Sequence, residues 1–212
     1  MIDYKQFYRD IYSAFRSPLN ERSGVAASSL DAAALRLGIA IPTALRDFYL
    51  IAGRERWFNL AHNRLIAPKE WVIDKQRLIF LVENQAVVYW GVSLRSASND
   101  DPPVSQGVND DPIEWNPEHR RCSEFIAVML CWQAVSGGMK FTNLVEPNAG
   151  TRKRLDKNWT FVGEVNNMRA YHRDGQVVCL CPDFGPECLF GGASSKSKLE
   201  PIAHDLELNS PP

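Results

Sequence analysis

From Tyr4 onward the apolar positions Tyr4, Phe7, Tyr8, Ile11, Tyr12 and Phe15 recur at intervals of three and four, a spacing that gathers them on one side of a helix as a core-packing stripe. Ser17-Pro18 closes that run, and a Gly- and Ser-rich connection leads to Ser28, three residues before Asp31 in the spacing of a capping box. A second helix is expected to continue to Leu37, with Leu30, Ala33, Ala34 and Leu37 inward and Gly38 as the left-handed residue beyond its end. Ile41-Pro42 opens a third, since a missing N–H costs nothing in a first turn. Its stripe is Ile41, Leu45, Phe48, Tyr49 and Ala52, and Gly53 comes just after it.

Past Trp57 the pattern shortens to runs at 64–67, 78–82 and 87–92, which read as strands. Residues 78–82, Leu-Ile-Phe-Leu-Val, contain no polar side chain, so this strand must be covered on both faces in the middle of a sheet. Glu83, Asn84 and Gln85 turn the chain into a second strand, where Tyr89 and Trp90 extend the apolar surface and Gly91 ends or bulges it. Between the first two runs, residues 68–71 form either a helical turn or an irregular loop. Residues 98–117 hold Asp100-Asp101 and Asp110-Asp111, each followed by Pro, and read as loops with edge strands.

Ser123 then suits the cap of a helix bearing Phe125, Ile126, Val128, Met129, Leu130 and Trp132, apolar on most sides and so expected to be buried, with Gly137-Gly138 at its end. Residues 143–158, with Arg152, Lys153, Arg154 and Lys157, read as a solvated loop. Strands are expected at 159–162, 168–172 and 176–180, the last two joined across Arg173-Asp174-Gly175. Leu199, Ile202, Ala203 and Leu206 have helical spacing, with Pro201 tolerated only near the first turn, and 209–212 is a frayed tail.

No internal period and no Pro/Gly linker divides the chain. The pattern therefore gives one α+β domain over 1–212: N-terminal helices packed on a mainly antiparallel central sheet, a further buried helix and a C-terminal helix, with 1–28 as an N-terminal helical extension. Composition adds exclusions. With 45% hydrophobic and 23% charged residues in 212, and a mean hydropathy of -0.27, the chain is neither disordered nor membrane-spanning by composition. Lys and Arg number 24 against 25 Asp and Glu, so no global field favours nucleic acid. The first residues lack the basic start and apolar core of an export signal, and five Cys is an odd number; both point to a reducing cytoplasm with free thiols.

The candidate chemistry is sparse. Glu83 and Gln85 face a partner, or Asn84 and Gln85 satisfy backbone groups of the turn. Asp100, Asp101, Asp110 and Asp111 suit a basic protein partner by charge complementarity, or are ordinary solvated loop residues. They do not have cation-site spacing, because Pro102 and Pro112 interrupt them and no Asp-x-Asp-x-Asp-Gly series exists. Cys179 and Cys181 share a strand face, with Cys188 beyond a turn and His172 across a hairpin, so a zinc-dependent enzyme is the alternative. The two-residue knuckle gap is missing, and buried free thiols are the simpler reading, so no metal or other cofactor is expected. His62, His119 and His204 have no partner evident in sequence, and Arg152, Lys153 and Arg154 lack the aromatic platforms of a nucleic-acid site. No nucleophile elbow, P-loop, dinucleotide fingerprint or His-Glu-x-x-His helix occurs.

Residues 41–49, Ile-Pro-Thr-Ala-Leu-Arg-Asp-Phe-Tyr, with Gly53 beyond them, resemble a helix signature of the SMI1/KNR4, or SUKH, superfamily. Leu78-Ile79-Phe80 with Glu83-Asn84-Gln85 and Tyr89-Trp90-Gly91 looks like its central hairpin, and Asp101-Pro102-Pro103-Val104, Trp115 and Ser123-Glu124-Phe125 are similar to the segments C-terminal to that hairpin in the family. The fold signature is thus Pro42, Tyr49, Gly53, Asn84, Gln85, Trp90 and Gly91, and the resemblance spans roughly 30–208. Ala86 departs from it, standing where members commonly have Gly. The resemblance implies an α+β fold and a binding protein without catalytic activity. Bacterial members are commonly immunity proteins that neutralise a polymorphic toxin, in some cases a nuclease, and fungal members act as signalling scaffolds. It implies a protein partner, with no direct nucleic acid and no membrane.

Overall fold

The structure, a computed structural model, describes residues 2–95, 99–182 and 187–206; Ser98 and the expected tail at 209–212 lie outside them. Helices α1 (Tyr4–Ala14), α2 (Ala27–Leu37), α3 (Thr43–Ala52) and the single turn α4 (Arg56–Asn59) come first. The first sheet is next, with β1 (Arg64–Leu65), β2 (Val72–Asp74), β3 (Arg77–Val82), β4 (Val88–Ser93), β5 (Val104–Val108) and β6 (Glu114–His119). Its order is β1-β3-β4-β5-β6, with β2 also on β3. Helix α5 (Cys122–Gln133) leads to β7 (Phe141–Val145), α6 (Thr151–Asn158), β8 (Thr160–Val165), β9 (Met168–Arg173), β10 (Gln176–Cys181), β11 (Cys188–Ala193) and α7 (Lys196–Asp205). These strands form a second sheet, β7-β11-β10-β9-β8, and every pairing in both sheets is antiparallel. The fold is α+β, with two sheets where the sequence suggests one.

Five successive side chains of β3, Leu78 to Val82, are buried, as a strand with no polar residue requires. Helix α5 is buried almost all round and packs between the sheets: Phe125 meets Phe80 and Trp90 of the first, while α5 also contacts β8, β9 and β10 of the second. The N-terminal helix α1 and Phe15 after it are built into this core, since Tyr8 and Tyr12 are fully buried and Phe15 nearly so. The Tyr8 hydroxyl donates to the Ala44 carbonyl (3.1 Å), fixing α1 to the start of α3. Tyr49 fastens α3 to the sheet: its hydroxyl donates to the Ile66 carbonyl (2.6 Å) and accepts from Trp71 Nε1 (3.2 Å), and burial pushes its phenol up.

Several sequence expectations are corrected. Helix α2 starts one residue before Ser28, on Ala26 with no side-chain cap, so the Ser28–Asp31 box does not form. Pro42 is the residue before α3 rather than within its first turn, and Gly53 is required by packing: a Cβ there would lie 2.7 Å from Val25 Cγ2. Gly91 neither ends nor bulges its strand. It sits inside β4 beneath the Trp115 indole, 2.9 Å from where a Cβ would stand, and the register shift falls on β3 between Ile79 and Leu81. Pro68–Glu70 is a 3-10 turn.

Residues 143–158 are not a loop but the end of β7 and helix α6, a short helix held by two buried residues, Thr151 and Leu155. A single apolar anchor among charges leaves no periodicity to read. Strand β11 was not expected, and Pro201 lies at the sixth position of α7 rather than near its first turn. Gly38 (φ +66°) does adopt the left-handed conformation expected of it, and Gly175 (φ +75°) is left-handed in the hairpin turn expected at Asp174-Gly175. Among the described residues no helix is long and apolar enough to cross a membrane.

Candidate partner-binding cleft

The end of α5 is the floor of a cleft of ≈ 700 Å³ between the two sheets. Met129 and Trp132 come from α5, and Val135 and Ser136 from the wide turn Ala134–Gly138 that continues it. Gln133, 3% exposed, fixes the opposite rim. Its Oε1 accepts from the His62 N–H (3.1 Å) and the Asn63 N–H (2.7 Å), and its Nε2 donates to the Asn63 carbonyl (2.6 Å). Three hydrogen bonds from one buried amide thus stitch the chain before β1 to the helix.

Asn63 is 2% exposed and lines the cleft, and its Oδ1 has no hydrogen-bond partner. A buried polar atom left without a partner costs about 1–3 kcal/mol, a penalty that a water or a bound group removes. The first sheet contributes Glu83, Trp90 and Glu118; the second contributes Val165, Asn166, Met168 and Phe190. His62, Trp132 and Phe190 make a continuous aromatic wall, with His62 and Trp132 edge to face at 5.5 Å and Trp132 and Phe190 at 5.1 Å.

Glu118 joins the sheets across the cleft. Its Oε1 accepts from Trp90 Nε1 (3.2 Å), and both oxygens accept from Asn166 Nδ2 (3.0 and 2.9 Å). Asn166 and Asn167 reach this point because both take positive φ (47° and 63°) in the two-residue turn from β8 to β9, a conformation Asn tolerates. Burial raises the Glu118 carboxyl above its ordinary value of 4.5, against the hydrogen bonds from Trp90 and Asn166 and the charge of His119.

Of the candidate residues singled out in sequence, Glu83, Trp90 and His62 line the cleft, whereas the two Asp pairs and the cysteines do not. Glu83, rather than Asn84 or Gln85, satisfies the hairpin turn. Its Oε2 accepts from the backbone N–H of Gln85 (2.8 Å) and Val87 (3.3 Å), while the Asn84 amide lies 3.5 Å from the His62 ring. Ala86 holds φ +59° there, a left-handed conformation that favours Gly.

Asp100 and Asp101 are built into helix starts. The Asp101 carboxylate accepts from the Ser123 N–H (2.7 Å) and hydroxyl (2.5 Å), so Ser123 is not the cap of α5 but is itself held by one. Asp100 accepts from the Thr43 hydroxyl (2.5 Å) through its side chain and from the Ala44 N–H (2.9 Å) through its carbonyl. Asp110 and Asp111 are exposed on the bend between β5 and β6 and are not part of the cleft.

The zinc alternative is not assembled. Cys181 pairs with Cys188, but His172 stands opposite Val177, four residues and about 13 Å along the strand from Cys181. Among the described residues no group of three or more His, Cys, Asp or Glu is placed to hold a metal ion. Burial pushes the Cys179 thiol well above its ordinary range, which opposes metal ligation as thiolate. Arg154 of the basic group is turned inward, donating to Asn148 Oδ1 (2.5 Å) and the Leu206 carbonyl (2.9 Å).

Sequence reasoning missed Asn63, Glu118, Asn166 and Phe190. Glu118 sits in the run Glu-Trp-Asn-Pro-Glu-His, which has no clean alternation, and nothing local marks it out among the chain's other acids. The Asn166-Asn167 pair was the available signal, being a turn sequence suited to a tight hairpin. Compared with protein-family models, curated proteins and solved structures, the chain matches none.

Proposed function

We propose that this chain is a non-catalytic protein-binding domain of the SMI1/KNR4 type, acting as an immunity protein that binds and neutralises a polymorphic bacterial toxin in the cytoplasm. The observation that carries this reading is the position of the resembling hairpin: its Glu83 and Trp90 line the cleft at the junction of the two sheets. Trp90, Met129, Trp132, Met168 and Phe190 give that cleft the aromatic and Met character of interface anchor pockets. Trp90 and Asn166 hold Glu118 in place by donating to its carboxylate, which suits it to the recognition of a partner.

Co-expression with a toxin encoded beside this gene tests the reading. Growth is rescued and the two proteins copurify, and substituting Trp132 by Ala weakens the complex while the domain stays folded. Absence of rescue by this chain against every neighbouring toxin candidate contradicts it.

A further inference from the structure

We infer that the cleft is a guanidinium site, taking an arginine side chain between the aromatic wall of Trp132 and Phe190 and the acceptors Glu118 and Asn63. Several independent features converge on it. Asn63 Oδ1 is a buried acceptor without a donor among the described residues. Glu118 is partly buried and accepts from two uncharged donors, Trp90 Nε1 and Asn166 Nδ2. Among the described residues neither Glu118 nor Glu83 has a Lys or Arg within ion-pair distance, whereas acids elsewhere, such as Asp174, Asp156 and Glu164, are paired with Arg or Lys. The neighbouring His119 has its Nε2 turned to Glu124 (3.7 Å).

A carboxylate drawn out of water with no Lys or Arg against it is unfavourable, and a cation entering from outside reduces that penalty. The raised proton affinity of Glu118 is the same fact seen through a proton. Glu83 adds negative charge at the rim; its Oε2 is used by the turn, and Oε1 bonds to no described residue.

The aromatic residues select the kind of cation. A compact ammonium is strongly hydrated, whereas a guanidinium is weakly hydrated, lies flat on aromatic faces and carries five N–H donors in a fixed fork. That fork lets a guanidinium bond the Glu118 carboxylate while its face lies on the aromatic wall. The guanidinium site stands on these observations alone; that the arginine belongs to a protein rests on the binding reading above.

The experiment is titration of the full chain with N-acetyl-arginine methylamide, monitored through the indole N–H resonances of Trp90 and Trp132. The neutral citrulline amide and the lysine amide are run in parallel. Binding on the order of millimolar is expected for one side chain, with both indoles shifting, the citrulline amide at least ~10-fold weaker, and Glu118→Gln weakening the arginine amide by ~10-fold. Equal affinity for citrulline, equal affinity for lysine, or no shift at either indole overturns the assignment. The comparison of the three amides on the unaltered protein needs no variant to fold. Because no toxin is present, failure here leaves the co-expression result independent, and failure of rescue leaves this one independent.

Discussion

The Asp100-Asp101 pair and Glu118 are acids of the first sheet and its connections, and do opposite things. Asp101 accepts two hydrogen bonds at the start of α5 and Asp100 two at the start of α3, so the loop between β4 and β5 ties two helices to the sheet. Glu118 bonds to one residue of each sheet and, among the described residues, has no Lys or Arg at ion-pair distance, beside a cavity that also holds a buried amide oxygen without a partner among those residues. A conspicuous run of acids thus serves the fold, while an acid inconspicuous in sequence faces the opening. The difference lies in what surrounds each carboxylate, and charge density along the chain does not report it.

The largest effect expected from breaking this contrast is at Asp101. Replacing it with Ala removes the acceptor for two α5 donors and leaves the nearly buried Ser123 hydroxyl without a partner. The expected loss is about 2 kcal/mol, or a melting temperature lower by roughly 4–8 °C in calorimetry. Next is Ala86→Gly in the hairpin beside the cleft. Ala at φ +59° is unfavourable relative to Gly, so the variant should gain about 1 kcal/mol in denaturant titration without altering the cleft.

A smaller effect separates Glu118 by pH. Its folded-state pKa is raised above the unfolded value of 4.5, so the folded protein binds the extra proton and stability falls as pH rises from about 4.5 through the folded pKa. In Glu118→Gln that fall should flatten, which stability curves at several pH values will show. Smallest of all, replacing Asp110 and Asp111 together with Asn should change stability by no more than about 0.5 kcal/mol, since both are exposed.

How much of this was legible in sequence depends on how local each signal is. The polar-free strand 78–82, the Gly38 cap and the Asp174-Gly175 turn are written in consecutive residues, and the structure has them where they were expected. The hairpin turn was placed correctly, but the role within it moved from Asn84 and Gln85 to Glu83, whose length lets its carboxylate reach back to two amides. Helix α6 was hidden because Thr151 and Leu155 are its only buried residues.

The cleft was hidden for a different reason. Asn63 is held by Gln133, seventy residues away, and Glu118 by Asn166, forty-eight residues away. Such sites exist only once two sheets and a helix have been brought together. No periodicity or motif encodes that meeting, although the Glu83 and Trp90 hairpin marked one side of it.

The most direct test of the central claim measures melting temperature and arginine-amide affinity for Asp101→Ala and Glu118→Gln side by side. The account predicts a crossed result: Asp101→Ala loses thermal stability and keeps the affinity of the unaltered protein, while Glu118→Gln keeps its melting temperature within about 2 °C and loses ~10-fold in affinity. Affinity lost in Asp101→Ala and retained in Glu118→Gln would contradict it.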